Sequence, residues 1–561
     1  MKAMLVDTTE MKILDWARCA STEVTDVAAT FDLPLAIDVQ KLGRLAPTTV
    51  TRSMVKRSAL KFFGTDGLRA RTTAAHFGPQ ESLAVFMNGK ELSPMFCYIA
   101  GRAFFAMVKE RGVVSHLSCG IGQDGREAVN QVGLFEALVS AAQDEGVTAT
   151  NLGVVPTPAV AAWSLAQGCC GIMMTASHNP AQYNGLKFFI EGSKLSRDGL
   201  CGEYEASARM IALSNVLGET FSLGSAVVPN EDSSALNLLT SLSAIVLDPD
   251  HRERLQHAGL TIDCAHGAAG QWVHAFLDSL TLSADVLHAQ ISENMINNGC
   301  GAAHDGVTPL WNHLLLRRER ERRPQYGIAV DGDGDRCKIF HLPLGATSPI
   351  TLNGDDLLLV LLPYLHTVSP HREVRISIES DPALAAAVRS RFSGLSLSVS
   401  AVGDRYLSAG REQTLLCGSE ESGHIVFPLA MGERFLYSGN GLLTGLMAIA
   451  EMEKGVSYPL FVRKGKRVVV AEDCDTSAWY EHSELYDAVE ALIVTIFGPR
   501  AKRVVIKEDS DILMYGIDDD KTLYARASGT EAKIQLVCPP VGAEYDRVSE
   551  GFMHLCEPYR I

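Results

Sequence analysis

The stretch VDGDGDR, residues 330–336, places three aspartates and two glycines directly after the apolar run YGIAV, residues 326–330. The apolar run predicts a buried strand, so the acids fall at its carboxyl end, where open α/β sheets bind ligands. On a flat strand, Asp331, Asp333 and Asp335 would span roughly 13 Å, at about 3.3 Å per residue. The glycines let the backbone curl, so the three carboxylates can converge on one hard divalent cation. We therefore expect a metal site, with an Asp/Gly turn between strands as the alternative.

This stretch is not the loop of an EF-hand calcium site. The sixth position of such a loop requires glycine and the twelfth requires glutamate, whereas Arg336 and Leu342 stand there.

The flanking chain alternates between helical and strand patterns, as in an α/β protein. Residues 133–145 have helical spacing with Gly146 as a stop, and residues 147–152 follow as a strand. Similar blocks run from about residue 260 past the aspartate stretch and from residue 353 to about 454. The last hundred residues are typical of an α+β domain. The prediction is an α/β fold with three similar mixed α/β domains plus a C-terminal α+β domain.

Composition excludes several classes of protein. The 561 residues carry a formal net charge of -16, which argues against nucleic acid as a partner, and no run of eighteen apolar residues predicts a membrane span. The thirteen cysteines are scattered and form no C-x-x-C pair, which is expected for reduced thiols rather than for a disulfide framework or a zinc site. The first residues match neither a secretory nor a transit signal, so we expect a cytoplasmic protein.

A second polar constellation, TASHNP at residues 175–180 with NGLK at 184–187, also follows a predicted buried strand. Ser177 is expected to be an exposed hydroxyl at the strand end. An acyl-transfer elbow needs G-x-S-x-G, which this stretch lacks. A serine together with an aspartate-bound cation suggests phosphoryl transfer, in which Lys187 can steady charge and move a proton. The alternatives are a turn serine, a scaffolding His178 and a surface lysine.

The stretch RASGTE, residues 526–531, is suited to binding a phosphate. Arg526 offers a bidentate donor, Gly529 close backbone approach, and Ser528 and Thr530 their hydroxyls. Ser528 and Glu531 also fit a helix capping box, and a capped helix start itself binds anions.

Two further glycine-bracketed stretches are weaker signals when taken alone. GSEESGH, residues 418–424, could hydrogen-bond sugar hydroxyls or form a polar turn. FGTDGLR, residues 63–69, reads as a turn with Arg69 as a possible phosphate ligand.

In their order along the chain, these motifs resemble the α-D-phosphohexomutase superfamily, and in detail its bacterial-type phosphoglucosamine mutases. The resemblance covers about residues 58–540 and rests on FFGTDGLRA (62–70), VPTPAVA (155–161), TASHNP with NGLKFF (175–189), INNGCGAAH (296–304), VDGDGDR (330–336), VGDRYL (402–407), SEESGH (419–424) and RASGTE (526–531).

The resemblance implies a role for each matching residue in four domains around a central cleft. Ser177 would carry the transferable phosphoryl group, and its oxygen would bind Mg2+ together with Asp331, Asp333 and Asp335. Lys187 would be the general acid/base, assisted by His424 and Arg69, while His178 and Arg336 would support the site. The substrate would be bound by Gly403, Asp404, Arg405, Glu420, Ser422, Arg526, Ser528, Gly529 and Thr530.

The implied domains are an N-terminal extension of unknown role, a phosphoserine domain, a metal-binding domain, a sugar-binding domain and a phosphate-binding C-terminal domain. They would span residues 1–57, 58–245, 246–345, 346–456 and 457–561 respectively. The extension and residues 71–98 are expected to fall outside the family pattern. Gln535 stands where many relatives have a second phosphate-binding arginine.

The implied activity interconverts glucosamine 6-phosphate and glucosamine 1-phosphate through a phosphoserine and a hexose 1,6-bisphosphate intermediate. The enzyme would act as a monomer or homodimer. Alternatives are a mutase for phosphoglucose, phosphomannose or phosphoacetylglucosamine, a catalytically silent sugar-phosphate sensor, and a metal-dependent phosphatase.

Overall fold

A computed structural model describes residues 62–560 except for 65, 90, 198–200, 219–220, 225, 293, 304–307, 411–413, 519–520 and 529–532. The chain forms two compact units. The amino-terminal unit contains the described residues up to Leu352 and the segment Leu429–Glu453, and the carboxyl-terminal unit contains Asn353–Pro428 and the described residues from Lys454 onward.

The first sheet of the amino-terminal unit has seven strands in the order β2-β1-β6-β5-β3-β4, with β7 paired to β6. Strands β3, β4 and β5 are parallel, with β4 at one edge of the sheet, and β6 runs antiparallel to both β5 and β1. The strands are β1 (Leu68–Thr72), β2 (Glu91–Leu92), β3 (Ser118–Gln123), β4 (Thr148–Val154), β5 (Cys170–Met174), β6 (Tyr183–Ile190) and β7 (Ser193–Lys194).

Local sequence signals define the helices beside this sheet. In α2, the Ser93 side chain caps the first turn by accepting from Phe96 N, a proline follows, and Gly112 ends the helix in the left-handed conformation. The helices are α1 (Pro79–Gly89), α2 (Pro94–Arg111), α3 (Arg126–Asn130), α4 (Leu134–Glu145), α5 (Thr157–Gln167), α6 (Glu203–Leu217) and α7 (Ser234–Val246).

The second sheet of this unit has the order β12-β11-β10-β8-β9, with β10 parallel to β8 and antiparallel to β11. Its strands are β8 (Gly259–Asp263), β9 (Asp285–Leu287), β10 (Gln325–Val330), β11 (Cys337–Leu342) and β12 (Ile350–Leu352), with helices α8 (Pro249–His257), α9 (Val273–Leu280) and α10 (Thr308–Glu321). Every residue of β10 is buried, so the strand that leads into the aspartate stretch is a core strand.

The carboxyl-terminal unit contains a four-stranded sheet and a five-stranded antiparallel sheet, in the orders β14-β13-β15-β16 and β19-β23-β22-β21-β20. The strands are β13 (Glu373–Ser377), β14 (Ser396–Ser400), β15 (Leu415–Ser419), β16 (Ile425–Val426), β19 (Arg467–Glu472), β20 (Ala501–Val504), β21 (Leu513–Ile517), β22 (Lys521–Ala527) and β23 (Lys533–Cys538). The helices are α11 (Gly354–Val368), α12 (Pro382–Arg391), α13 (Asp404–Ser408), α15 (Glu484–Phe497) and α16 (Ala543–Cys556).

Residues 429–453 contribute the hairpin β17 (Leu429–Met431) and β18 (Arg434–Leu436) and the helix α14 (Gly441–Met452) to the amino-terminal unit. The domain predicted from the sequence to span residues 346–456 includes these residues. Helix α14 lies so close to the second sheet that a Cβ at Gly445 would meet the Ile328 side chain at 2.7 Å.

The mixed α/β fold class predicted from the sequence is confirmed, and the individual domain boundaries stay a prediction. Residues 71–98 supply strand β2, helix α1 and the start of α2, although the sequence analysis had left them without a role. None of the described helices is both long and apolar enough to cross a membrane.

Candidate functional site

Ser177 lies just beyond strand β5 with its backbone in the left-handed region, at φ 52°. Its Oγ donates a hydrogen bond to Asp331 Oδ2 at 2.8 Å, which joins the predicted serine to the aspartate stretch. The expected exposure of Ser177 is wrong, since the residue is fully buried. The aspartate stretch itself covers it: a Cβ at Gly332 would lie 2.8 Å from the Ser177 carbonyl oxygen.

The loop that carries Ser177 is held by hydrogen bonds from three directions. Thr175 Oγ1 accepts from Ser177 N at 2.7 Å and donates to Asp124 Oδ2 at 2.6 Å. Arg126 Nη2 and Asn297 Nδ2 both donate to the Ser177 carbonyl oxygen, at 2.9 and 2.8 Å. These bonds fix the serine in a backbone conformation that an L-residue seldom adopts.

Three of these supporting residues were missed from the sequence. Asp124 and Arg126 form a buried ion pair of 2.8 Å directly after strand β3. Their position at the carboxyl end of a parallel strand was the available signal, because the serine and the aspartates occupy equivalent ends. Asn297 lies in the INNGCGAAH stretch, which had been noted without a role for this side chain.

Asp331, Asp333 and Asp335 converge as the glycines between them predicted. One carboxylate oxygen from each lies within 4.8 Å of the others, and all three residues are buried. The turn depends on Gly334, which has φ 70° and donates its N–H to the Asp331 carbonyl at 3.0 Å. Burial and the neighbouring charges of Asp333 and Asp335 raise the pKa of Asp331 above its ordinary value.

The donor set fits a hard divalent cation. Asp333 Oδ1 is buried and has no hydrogen-bond partner among the described residues, which is the situation that a bound cation would relieve. Oxygen ligands of this kind suit Mg2+, Ca2+ or Mn2+ rather than a soft metal.

Lys187 lies on strand β6, paired with Met173 of β5, and its ammonium group is buried among carboxylates. Nζ lies 2.7 Å from Asp333 Oδ2, 2.7 Å from Asp335 Oδ2 and 2.9 Å from Asp66 Oδ2. Burial alone would lower the pKa of Lys187, but the three carboxylates hold it well above its ordinary value. Lys187 is therefore not a surface lysine, which was the alternative to a role in catalysis.

Asp66 is a second acidic residue that the sequence analysis did not single out. Burial opposes its charge, but Lys187, Lys194 and Arg69 hold the pKa of Asp66 well below its ordinary value. Its carboxylate accepts from Arg69 at 3.0 Å and from Lys194 at 2.8 Å, so the predicted Arg69 reaches the site through Asp66. In the FGTDGLR stretch, the sequence analysis predicts a role for Arg69 but none for Asp66.

His178 and Arg336 contact each other beside the serine. Arg336 Nη1 donates to His178 Nδ1 at 2.6 Å and lies 4.0 Å from Asp331 Oδ2. One edge of the imidazole reaches solvent, but the enclosing protein and the Arg336 charge lower the pKa of His178 to about 2. His178 is therefore a neutral acceptor that orients Arg336. This is a scaffolding role, which the sequence analysis gives as an alternative.

In the carboxyl-terminal unit, the predicted sugar-binding stretches lie together. Glu420 Oε1 accepts from Gly403 N at 2.7 Å, and Glu420 Oε2 accepts from Ser422 Oγ at 3.4 Å. His424 Nε2 lies 3.1 Å from Asp404 Oδ2. The predicted Arg405 stacks its guanidinium over the ring of its neighbour Tyr406, with 4.8 Å from Cζ to the centroid.

Arg526 is the penultimate residue of strand β22 and pairs with Gln535 of β23. Arg526 Nη2 donates to Glu379 Oε1 at 2.7 Å. With its amide oriented to satisfy both groups, the Gln535 side-chain oxygen accepts from Arg526 Nε at 2.9 Å. Ser528 N donates to the Lys533 carbonyl, and the next described element is strand β23 rather than a helix. The predicted contacts of Gly529 and Thr530 lie outside the described residues.

The α/β fold and the buried serine beside an acidic cage indicate an enzyme of the phosphotransferase class. The model of phosphoglucomutase/phosphomannomutase α/β/α domain I matches residues 60–200, and that of domain III matches residues 353–462. The first match runs through residues 71–98, so the expectation that this segment lies outside the family pattern is wrong.

The chain belongs to the α-D-phosphohexomutase superfamily and is an isomerase that acts by phosphoryl transfer. It is 30% identical over 406 residues to the phosphoglucosamine mutase of Nocardia farcinica, an alignment that covers 70% of this chain and 80% of that protein. The phosphoglucosamine mutase of Alkaliphilus metalliredigens is also 30% identical, over 404 residues, with 70% and 79% covered.

Solved structures support the fold. A phosphoglucomutase/phosphomannomutase family protein from Burkholderia thailandensis aligns with a TM-score of 0.61 at 20% identity, covering 89% of this chain and 97% of its own. The open form of a Paramecium phosphoglucomutase gives 0.58 at 16% identity, covering 89% and 95%.

Proposed function

We propose that the protein interconverts glucosamine 6-phosphate and glucosamine 1-phosphate, with Ser177 as the phosphoryl carrier and Mg2+ as the cation. The observation that carries this proposal is the 2.8 Å contact between Ser177 Oγ and Asp331 within the acidic cage. The amino sugar is proposed because the phosphoglucosamine mutases are relatives that align over most of their length.

Asp331, Asp333 and Asp335 would hold the cation, which when bound would neutralise charge on the phosphate of Ser177. Lys187 is positioned to carry a proton to or from the sugar oxygen that exchanges the phosphoryl group. Arg126 and Asn297 keep the serine backbone fixed during this exchange, since both donate to its carbonyl oxygen. Positioning and charge stabilisation are most of what phosphoryl transfer requires.

The remaining predicted residues would bind the sugar and its second phosphate. Glu420 and Ser422 would grip hydroxyl groups, with His424 and Arg69 as assistants, and residues 403–405 would influence the choice of sugar. Arg526, with residues 528–530, would anchor the phosphate that does not react. A 1,6-bisphosphate intermediate then turns over before the other phosphate returns to the serine.

Intact mass spectrometry of freshly purified protein tests this carrier role. We expect one stoichiometric phosphate that maps to Ser177 and is lost in Ser177→Ala, together with all mutase activity. Ser193 is an exposed serine of the same unit, so Ser193→Ala is the control and should keep both the phosphate and the activity. Activity retained in Ser177→Ala would refute the assignment.

Turnover of the 1-phosphates of glucosamine, glucose, mannose and N-acetylglucosamine tests the sugar. A preference for glucose would contradict the amino-sugar proposal while leaving the mutase chemistry intact.

A sugar-phosphate sensor is the second candidate, because Glu379 and Gln535 already engage Arg526. A sensor would carry no phosphate on Ser177, whereas a phosphatase would release inorganic phosphate faster than it isomerises its substrate.

A further inference from the structure

A cluster of nitrogen and sulfur ligands lies in the amino-terminal unit, outside the acidic cage. His266 and His288 follow strands β8 and β9, and Cys300, which has no role in the proposed reaction, belongs to the INNGCGAAH stretch. One nitrogen from each imidazole and Cys300 Sγ lie within 4.8 Å of one another. Cys300 is buried, and the two histidines are half-buried.

Both histidines are oriented as metal ligands usually are. His266 Nδ1 lies 2.7 Å from the Gln290 carbonyl oxygen, and His288 Nδ1 lies 3.0 Å from Asp263 Oδ1. An acceptor at each Nδ1 places the proton there and leaves the Nε2 lone pair available. A carboxylate or a backbone carbonyl behind the imidazole is the usual support of a zinc-bound histidine.

The backbone adopts costly conformations to place these side chains. Ala265, His266 and His288 all lie in the left-handed region, at φ 56°, 54° and 52°. Such strain persists where the surrounding structure holds it and collects at functional sites. His266 N donates to the His288 carbonyl at 2.8 Å, which fixes the two rings side by side with centroids 4.8 Å apart.

A hydrogen bond and a close backbone approach also hold the segment around Cys300 beside the two histidines. Gly301 N donates to Asp263 Oδ2 at 3.2 Å, so one aspartate supports both the His288 ring and the cysteine loop. A Cβ at Gly301 would lie 2.5 Å from Ala265 Cβ, so only glycine permits this approach. Several independent contacts thus converge on the same three ligands.

We propose that His266, His288 and Cys300 bind a zinc ion through two imidazole nitrogens and a thiolate, with the fourth position left to water. Zinc binds such ligands at about 2.0–2.3 Å, so its tetrahedral ligand atoms lie about 3.5 Å apart. The cluster reaches that spacing by a contraction of about 1 Å. The ligand chemistry separates this site from the oxygen-only cage, which suits a hard cation.

The ion would clamp the segment between His288 and Cys300. That segment contains Asn297, whose side chain donates to the carbonyl oxygens of Ser177 and Asn179. The effect of the ion on the serine loop would therefore run through Asn297, a positioning residue, rather than through contact with substrate.

Cobalt titration of the metal-stripped full-length protein tests the site, because a thiolate bound to Co2+ gives a charge-transfer absorption that oxygen ligands cannot give. We expect this band with one Co2+ per chain, in the presence of excess Mg2+ to fill the acidic cage. Cys300→Ser should abolish the band. His274→Ala, an exposed histidine of the same unit, should leave it unchanged.

Two further variants separate ligation from folding. Asp263→Asn should weaken Co2+ binding about 10- to 100-fold, as expected for loss of the group behind a ligating histidine. His266→Gln changes a half-buried side chain and should lower the affinity at least as much while circular dichroism stays native. Absence of the band in the wild-type protein would overturn the proposal, as would a band that survives Cys300→Ser or unchanged affinity in His266→Gln.

Discussion

Replacement of Lys187 by methionine should make the stability of the amino-terminal unit depend on a divalent cation. The Lys187 ammonium is 1% exposed and lies within 2.9 Å of carboxylate oxygens from Asp66, Asp333 and Asp335. Methionine fills a similar volume but leaves these buried carboxylates facing one another without the ammonium. Removal of one partner from a buried ion pair costs about 3–5 kcal/mol, so we expect a loss of that size without metal.

A cation in the cage should restore much of this loss. A ligand that binds only the folded state at 100 times its dissociation constant stabilises by about 2.7 kcal/mol. Hydrogen exchange of peptides from strands β6 and β10, measured with EDTA or with Mg2+, reports the opening free energy of the unit that contains the cage.

Lys194→Met is the matched control, because Lys194 contacts the same Asp66 at 2.8 Å from a more exposed position. We expect it to cost about 1 kcal/mol. The inferred competition between ammonium and cation within one cage is wrong if Lys187→Met is no more destabilising than Lys194→Met. It is also wrong if Mg2+ stabilises both variants equally, because the cation is expected to replace the missing charge of the Lys187 ammonium.

Three further changes test other features. Burial raises the pKa of Glu127 from 4.5 to about 7, so its contribution to stability is present below pH 4.5 and is lost as the pH rises through 7. Denaturant unfolding should therefore show a larger fall in the free energy of unfolding between pH 5 and pH 8 for wild type than for Glu127→Gln. The difference between the two falls should be up to about 3 kcal/mol. A Cβ at Gly441 would lie 2.2 Å from the backbone oxygen of Arg336, so Gly441→Ala should cost about 1–3 kcal/mol in the same unfolding assay, while Gly224→Ala, which meets nothing within 4 Å, should cost little. Asn297→Ala removes two hydrogen bonds to the serine loop and should lower kcat about tenfold with KM unchanged; a rise in KM alone would contradict a positioning role.

The serine motif and the aspartate motif could be recognised from the sequence because each follows a buried strand and has a distinctive residue pattern. The apolar run of residues 326–330 predicted the strand, and the alternation of glycine with aspartate in residues 330–336 predicted the convergence of the acids; the structure has both. Local helix signals were equally informative: Gly146 was predicted to end a helix and does so at φ 69°.

Contacts between distant segments were not readable in this way. The burial of Ser177 results from the aspartate stretch more than 150 residues later, which covers the loop. The role of Arg126 could not be predicted locally, because it depends on a carbonyl oxygen 51 residues away. Residues 429–453 join the amino-terminal unit through packing against strands from another part of the chain, which local periodicity does not encode.

Ser177, the proposed phosphate carrier, belongs to the amino-terminal unit together with the three aspartates and Lys187, whereas Glu420, Ser422 and Arg526 belong to the other unit. If the proposed roles hold, the residues that select the hexose can be exchanged as one unit without a change to the residues that transfer the phosphoryl group. Chimeras that graft this unit from a relative with a different sugar preference would be a natural route to new specificities.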